Sequence, residues 1–182
     1  MRAPSNSNVQ PWRVFLASGA RRNRLAAALA AEVRLHPPTN LGLPESHQHL
    51  RSQLGALVYG SMGVARDDRD GRWEAQLRNW DFFSAPVAGI VCMHRDLGLV
   101  DAVGVGMFLQ TFLLALTSRG LDSCVQVSTA LYPEIAREHL EIPDDLRVLC
   151  GVCIGYADNS FAANGLQIPR NPVPENVVVF DS

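Results

Sequence analysis

Lysine is missing from this chain: all 16 basic side chains among its 182 residues are arginines. Schiff-base chemistry and lysine nucleophiles are therefore excluded. A surplus of charge is missing too. The net charge of −2 gives no electrostatic case for nucleic acid or an anionic membrane as partner. Four cysteines are too few for a disulfide scaffold, so a reduced, cytoplasmic protein is expected. No basic-then-apolar leader opens the sequence, and secretion is not expected. The longest apolar stretch, Val103 to Leu116, is broken by Gln110 and Thr111 and reads as too short to span a bilayer. What is present, 47% hydrophobic and 19% charged residues, is ordinary globular composition. The length suits a single domain over 1–182 with a sizeable core.

Arg13 to Ala17 reads as a short strand, Arg21 to Arg34 as an arginine- and alanine-rich helix, and His36 to Pro44 as a loop full of breakers. Ser46 is a candidate N-cap for a helix through Tyr59. Arg66 to Arg72 is charged and solvated. Trp73, Leu77, Trp80 and Phe83 recur at helical spacing and predict a helix from about Arg72 to Phe83. Val87 to Met93 and Leu146 to Gly155 are near-continuous apolar runs, the pattern of strands buried on both faces. Asp101 is a candidate cap for a helix to about Arg119, stopped by Gly120. That helix is apolar around most of its circumference and so belongs in a core or a dimer interface. Cys124 to Ser128 reads as a short extended piece, and Tyr132-Pro133 as the start of a small helix reaching about Leu140. The tail, with Pro169, Pro172 and Pro174, ends in the apolar run Val177 to Phe180. It looks like an extended arm whose terminal strand seeks a sheet edge, its own or a partner's. Helices and strands alternate irregularly, which gives an α+β fold with helices on a central sheet.

Several motif-like pieces carry bland readings. Gly104-Val105-Gly106 lacks the third glycine of a dinucleotide fingerprint and reads as close helix–helix packing. Cys150 and Cys153 have redox-motif spacing, but residues three apart on a strand face opposite ways, so both read as core. Asp67-Asp68-Arg69-Asp70-Gly71 fails the register of a calcium loop. The five histidines have no acidic partner at metal-ligand spacing, and no metal is expected. There is no Gly-x-Ser-x-Gly nucleophile elbow.

The opening segment carries the functional signal. Pro4-Ser5-x-x-Asn8-x-Gln10-Pro11-Trp12 combines turn formers, a hydroxyl, an amide and an aromatic stop, then runs into a strand. Such a loop can offer backbone N–H groups, one hydroxyl and one amide to a polar planar ligand.

Four blocks, in order, resemble the bacterial FMN-dependent nitroreductase family, in particular its nitrobenzoate-reductase-like branch. They are this opening loop; Arg78-Asn79-Trp80-Asp81-Phe82-Phe83-Ser84-Ala85-Pro86-Val87; Gly106 to Gln110 with Ala115 and Gly120 to Cys124; and Cys150 to Asp158. The tail around Pro169-Arg170-Asn171-Pro172-Val173 resembles the family's C-terminal segment. The resemblance implies a mostly antiparallel central sheet packed by helices, with the C-terminal arm exchanged in a homodimer. It implies FMN as cofactor and NADPH or NADH as electron donor. Nitroaromatics, quinones or similar small molecules would be reduced by ping-pong hydride transfer through flavin N5, with no catalytic side chain. Pro4, Ser5 and Asn8 would approach the flavin, usually from the partner subunit. The backbone of Gln126, Val127 and Ser128 would face N5, and Arg170 would meet the phosphate. Phe82 or Phe83 would border the substrate pocket. Val125 stands where proline is frequent in this branch. The family's N-terminal helix and its Arg-x-Ser-x-Arg phosphate motif do not precede the opening loop in this sequence. The expectation is a start codon placed too late or a shortened member. In the latter case the alternative is a non-enzymatic relative that binds or sequesters flavin.

Overall fold

The computed structural model describes residues 2–39 and 42–180. Asn40 and Leu41, in the expected loop, and Met1 of the opening segment lie outside the described residues. The chain divides into two compact units, Met1–Leu41 with Trp73–Ala157 and Gly42–Arg72 with Asp158–Ser182.

The first unit is built on four antiparallel strands: β1 (Trp12–Ser18), β2 (Val87–His94), β3 (Asp122–Gln126) and β4 (Leu146–Gly155), in the spatial order β1-β2-β4-β3. The two central strands are covered on both faces, which is why their sequences are apolar almost throughout. On one face, Ala88, Ile90, Cys92 and Cys153 meet α1 (Gly19–Leu35) through Leu25, Leu29 and Val33, and α5 (Pro133–Leu140) through Ala136 and Leu140. On the other, Val91, Val152 and Ile154 meet α4 (Leu99–Thr117) through Val105 and Phe108. The ladder shifts register between Val91 and Cys92. Cys150 and Cys153 fall in the two opposite clusters, as their spacing predicts.

Helix α4 begins at Leu99, two residues before the expected cap. Asp101 reaches back from inside the first turn to accept the Gly98 N–H at 3.1 Å. Its nineteen residues, Leu99–Thr117, are long and apolar enough to cross a bilayer by length and composition, which corrects the shorter sequence estimate. Here one face lies on the sheet, while Leu99, Val103 and Leu114 are exposed at 88%, 62% and 60%.

The predicted helix to Phe83 ends early. Helix α3 spans Arg69–Leu77, and Phe82–Ser84 form a tight turn in which Phe82, Phe83 and Ser84 all have positive φ. The apolar spacing continued through Trp80, which is buried, and Phe83, which is half-buried, but both are covered through a turn and not a helix.

In the second unit, α2 (Glu45–Ser61) starts after Pro44, so Ser46 lies inside the first turn. The acidic run caps α3: Asp68 Oδ1 accepts the Gly71 N–H at 2.9 Å. The guanidinium of Arg72 sits 4.9 Å from the Tyr59 ring centre. After the short helix α6 (Val173–Asn176), Val177–Phe180 is exposed and is not part of a strand among the described residues.

Candidate functional site

The opening loop is a shaped piece of backbone. Asn6–Asn8 make a single tight turn, and Ser7, Asn8 and Gln10 carry φ of 46°, 56° and 50°. Asparagine tolerates this left-handed region; the other two cost about 1 kcal/mol or more each. Two features hold the shape. Ser5 Oγ accepts the Gln10 N–H at 3.0 Å, and the loop is clamped onto α4. A Cβ at Gly104 would lie 3.3 Å from Ser5 Cβ and 3.4 Å from Pro11 Cγ, so a side chain here would press the loop back by a few tenths of an ångström. One turn further along the same helix face, Phe108 stacks on Trp12 at 4.8 Å. The glycine thus serves loop-on-helix packing, which corrects the helix–helix reading. Pro4 and Asn8 are exposed at the tip.

A cavity of about 440 Å³ opens beside this loop, bordered by Gln10, Arg13, Phe15, His94 and Asp145. A second, of about 380 Å³, lies between Arg2 and Ala3, the α4 side chains Phe108 and Phe112, and Arg119 just beyond the helix.

The second segment, Gln126 to Ser128, leaves the end of β3. Gln126 closes the strand, and Val127–Leu131 wind into a tight turn instead of extending to Ser128 as expected. The turn is made by Thr129, whose hydroxyl donates to the Gln126 carbonyl at 2.9 Å. Thr129 is fully buried against Gly151, where a Cβ would come within 2.6 Å of its Oγ1. From the other side Gln126 Nε2 donates to the Asn79 carbonyl at 2.6 Å, and Trp80 Nε1 donates to the Ser128 carbonyl at 3.3 Å. Asn79 and Trp80 are positioned in turn by Arg22. This buried guanidinium donates to the Asp81 carboxylate at 3.0 Å, to the Asp81 carbonyl and to the Ala85 carbonyl at 3.0 Å. Sequence reading missed Arg22, because arginine on a helix reads as solvated. It had Asn79 and Trp80 only as part of a block.

Two polar atoms in this segment stand out. Gln126 Oε1 and Ser128 Oγ are buried and have no hydrogen-bond partner among the described residues. Leaving a buried polar atom unpaired costs about 1–3 kcal/mol. Val127, between them, is 56% exposed.

The expected substrate phenylalanines divide. Phe82 is fully buried in the core with the Arg22 guanidinium 6.0 Å from its ring centre. Phe83 is half-buried. Arg170 lies in the second unit, exposed, donating to the Ile168 carbonyl at 2.8 Å. The first two segments are not brought together within one chain. The opening loop leads into β1 and Gln126 ends β3, the two outer strands. Three strand spacings, about 14 Å, separate those edges.

The family model described as the Nitroreductase family matches residues 1–156. The chain belongs to the nitroreductase family. It is 34% identical over 175 residues to 4-nitrobenzoate reductase of Pseudomonas putida, covering 92% of this chain and 76% of that protein. With the nitroreductase NfnB of Mycolicibacterium smegmatis identity is 35% over 179 residues, 95% of this chain and 76% of the relative. Among solved structures, the FMN and NADPH-dependent nitroreductase NfnB from Sphigopyxis sp. strain HMH superposes with a TM-score of 0.92 at 32% identity, over 100% of this chain and 84% of that one. The family fold is therefore the fold of this chain: an antiparallel sheet between helical layers, as the sequence blocks imply.

Proposed function

We propose that this nitroreductase-family chain is an FMN-dependent NAD(P)H oxidoreductase whose flavin site is shared between two copies of the chain. The observation that carries the reading is the pair of orphaned buried atoms, Gln126 Oε1 and Ser128 Oγ. They sit in the segment that family resemblance assigns to the flavin, and a polar ring edge supplied from outside the chain satisfies them. Relatives at 32–35% identity named as nitroreductases, one of them FMN and NADPH-dependent, support the same chemistry. Bound there, FMN supplies hydride transfer from NADPH or NADH to a nitroaromatic, quinone or similar acceptor.

The protein's own part is positioning. Gln126, Val127 and Ser128 are held against Asn79 and Trp80 and present amide and hydroxyl groups at a fixed edge. Ser5, with its hydroxyl tied to Gln10, and the exposed Asn8 approach from the second copy. Arg170 binds the phosphate, and Phe83 borders the acceptor. No side chain is assigned as general acid or base, since the cofactor carries the redox chemistry. The exposed apolar side of α4 packs at the dimer interface, and the C-terminal arm crosses to the partner, where Val177 to Phe180 adds to a sheet edge. The protein acts in the cytoplasm.

A complementation experiment tests the shared site. Asn8→Ala and Ser128→Ala damage different halves, so each homodimer has two damaged sites. Unfolding and refolding the two variants together places one intact site in each mixed dimer. With random pairing about a quarter of wild-type FMN-dependent NADPH oxidation returns. Recovery no greater than the average of the two variants would show that both segments act within one chain. Arg170→Ala should weaken FMN about tenfold or more and leave riboflavin binding unchanged, as expected for one charged contact to phosphate worth about 1.5–3 kcal/mol. Fluorescence titration with both ligands reads the difference, and equal losses would remove the assigned role.

A further inference from the structure

Strand register places Cys124 of β3 directly opposite Cys153 of β4. Residues opposed in this way project from the same face, with Cα atoms about 4.5–5.5 Å apart. A disulfide spans roughly 4.4–6.8 Å between Cα atoms, so the strands need not move far to be bridged. The two thiols sit in unlike settings. Cys124 is exposed on an outer strand, while Cys153 is buried beside Ala88 in the core. Cys92 and Cys150 make no such pair: Cys92 faces Val148, Cys150 faces Val91, and both are buried.

We propose that Cys124 and Cys153 form a peroxide-reactive dithiol site, with Cys124 as the attacking sulfur and Cys153 as the resolving one. In the first step the Cys124 thiolate attacks one oxygen of a hydroperoxide. The O–O bond breaks, the other oxygen leaves as an alcohol (water, from hydrogen peroxide) after taking a proton, and Cys124 becomes a sulfenic acid. In the second, the Cys153 sulfur attacks Cys124 Sγ. The S–O bond breaks and hydroxide leaves as water with the Cys153 proton. The thiol pair loses two electrons and the hydroperoxide gains them. The product is a covalent staple between β3 and β4, two residues before Gln126.

The thiol chemistry agrees with the geometry. The Cys153 thiol donates to Cys124 Sγ and lowers the Cys124 pKa from 9.0 to about 7. The same contact, with burial, pushes Cys153 up, which keeps its proton in place as the donor. Burial raises Cys92 to about 12 and Cys150 to about 11, so neither competes at neutral pH. An exposed thiolate beside a resolving thiol is the arrangement that favours sulfenic acid formation and its capture as a disulfide. This site stands independently of the flavin reading.

The test treats the full-length, reduced and desalted chain with hydrogen peroxide at pH 7 and maps peptides by mass after alkylation. The expected product is a Cys124–Cys153 linked peptide within one chain, with Cys92 and Cys150 unchanged. In Cys153→Ser a dimedone adduct builds up on Cys124 at least tenfold above wild type, because nothing resolves the sulfenic acid. Cys153→Ala gives the same result should the serine variant fold poorly. Iodoacetamide labelling of Cys124 should rise with a midpoint near pH 7 in wild type and move toward 9 in Cys153→Ala, which removes the donor. A Cys124 that stays unmodified, or that yields equal dimedone adduct with and without Cys153, would overturn the proposal and leave the pair as strand packing alone.

Discussion

Arg22→Ala should lower stability by about 3 kcal/mol and loosen the Gln126–Ser128 segment at the same time. Arg22 is 8% exposed, and its guanidinium supplies the Asp81 carboxylate and two backbone carbonyls. Charged hydrogen bonds are worth about 1.5–3 kcal/mol each. The Asp81 side chain is 46% exposed, so water takes over much of its share and the full sum is not reached. The two backbone carbonyls lose their charged donor as well, and three consecutive left-handed residues, Phe82 to Ser84, lose what holds them. A loss of about 3 kcal/mol corresponds to a fall in Tm of about 6–12 °C for a chain this long. Urea denaturation should show a lower midpoint with an unchanged slope. Asp81→Ala leaves Arg22 its two carbonyl acceptors and should cost less than half as much. FMN affinity should fall in Arg22→Ala, because Asn79 and Trp80, which hold Gln126 and Ser128, leave the same segment. Equal costs for the two substitutions would mean that the carboxylate, not the carbonyls, anchors the turn.

Gly151→Ala should be about as damaging, by a steric route. The new methyl would lie 2.6 Å from Thr129 Oγ1 and 2.9 Å from Thr129 Cγ2. Thr129 is fully buried and shapes the turn through its bond to Gln126, so it cannot swing aside. Overpacking of this kind costs about 1–3 kcal/mol, and the upper end is expected here. Removing the obstructing atoms is the control. In Gly151→Ala with Thr129→Ala, the combined loss should be at least about 1 kcal/mol smaller than the sum of the separate losses. Strict additivity in thermal unfolding would show that the two residues do not press on each other.

These positions also show where the sequence was readable. The two central strands announced themselves because burial on both faces leaves no polar alternation, and Val87–His94 and Leu146–Gly155 are found within a residue of where their apolar runs lie. The family blocks were readable because Pro4, Ser5, Asn8 and Trp12 occur at fixed spacing ahead of a strand. The turn at Phe82–Ser84 was not readable. Hydrophobic periodicity reports which residues are buried, whereas positive φ at Phe82 and Phe83 depends on Arg22, about sixty positions away along the chain. The end of β3 was hidden for a similar reason. Val127 and Ser128 suit a strand locally, and it is the Thr129 hydroxyl and the bare backbone of Gly151 that curl them. Gly104 was assigned the right role, close packing, with the wrong partner, since loop and helix are brought together only by the fold. The Cys124–Cys153 pair is invisible until strand register is known, because Cys153 reads most naturally with Cys150.

The visible absorption of the purified chain, taken before and after addition of FMN and then NADPH, tests the central claim most directly. The account predicts that the chain retains FMN through desalting, with a red-shifted and structured flavin band, and that NADPH bleaches it in the absence of oxygen. A colourless protein that gives up added FMN would contradict the account, as would a bound flavin that stays oxidised with both NADPH and NADH.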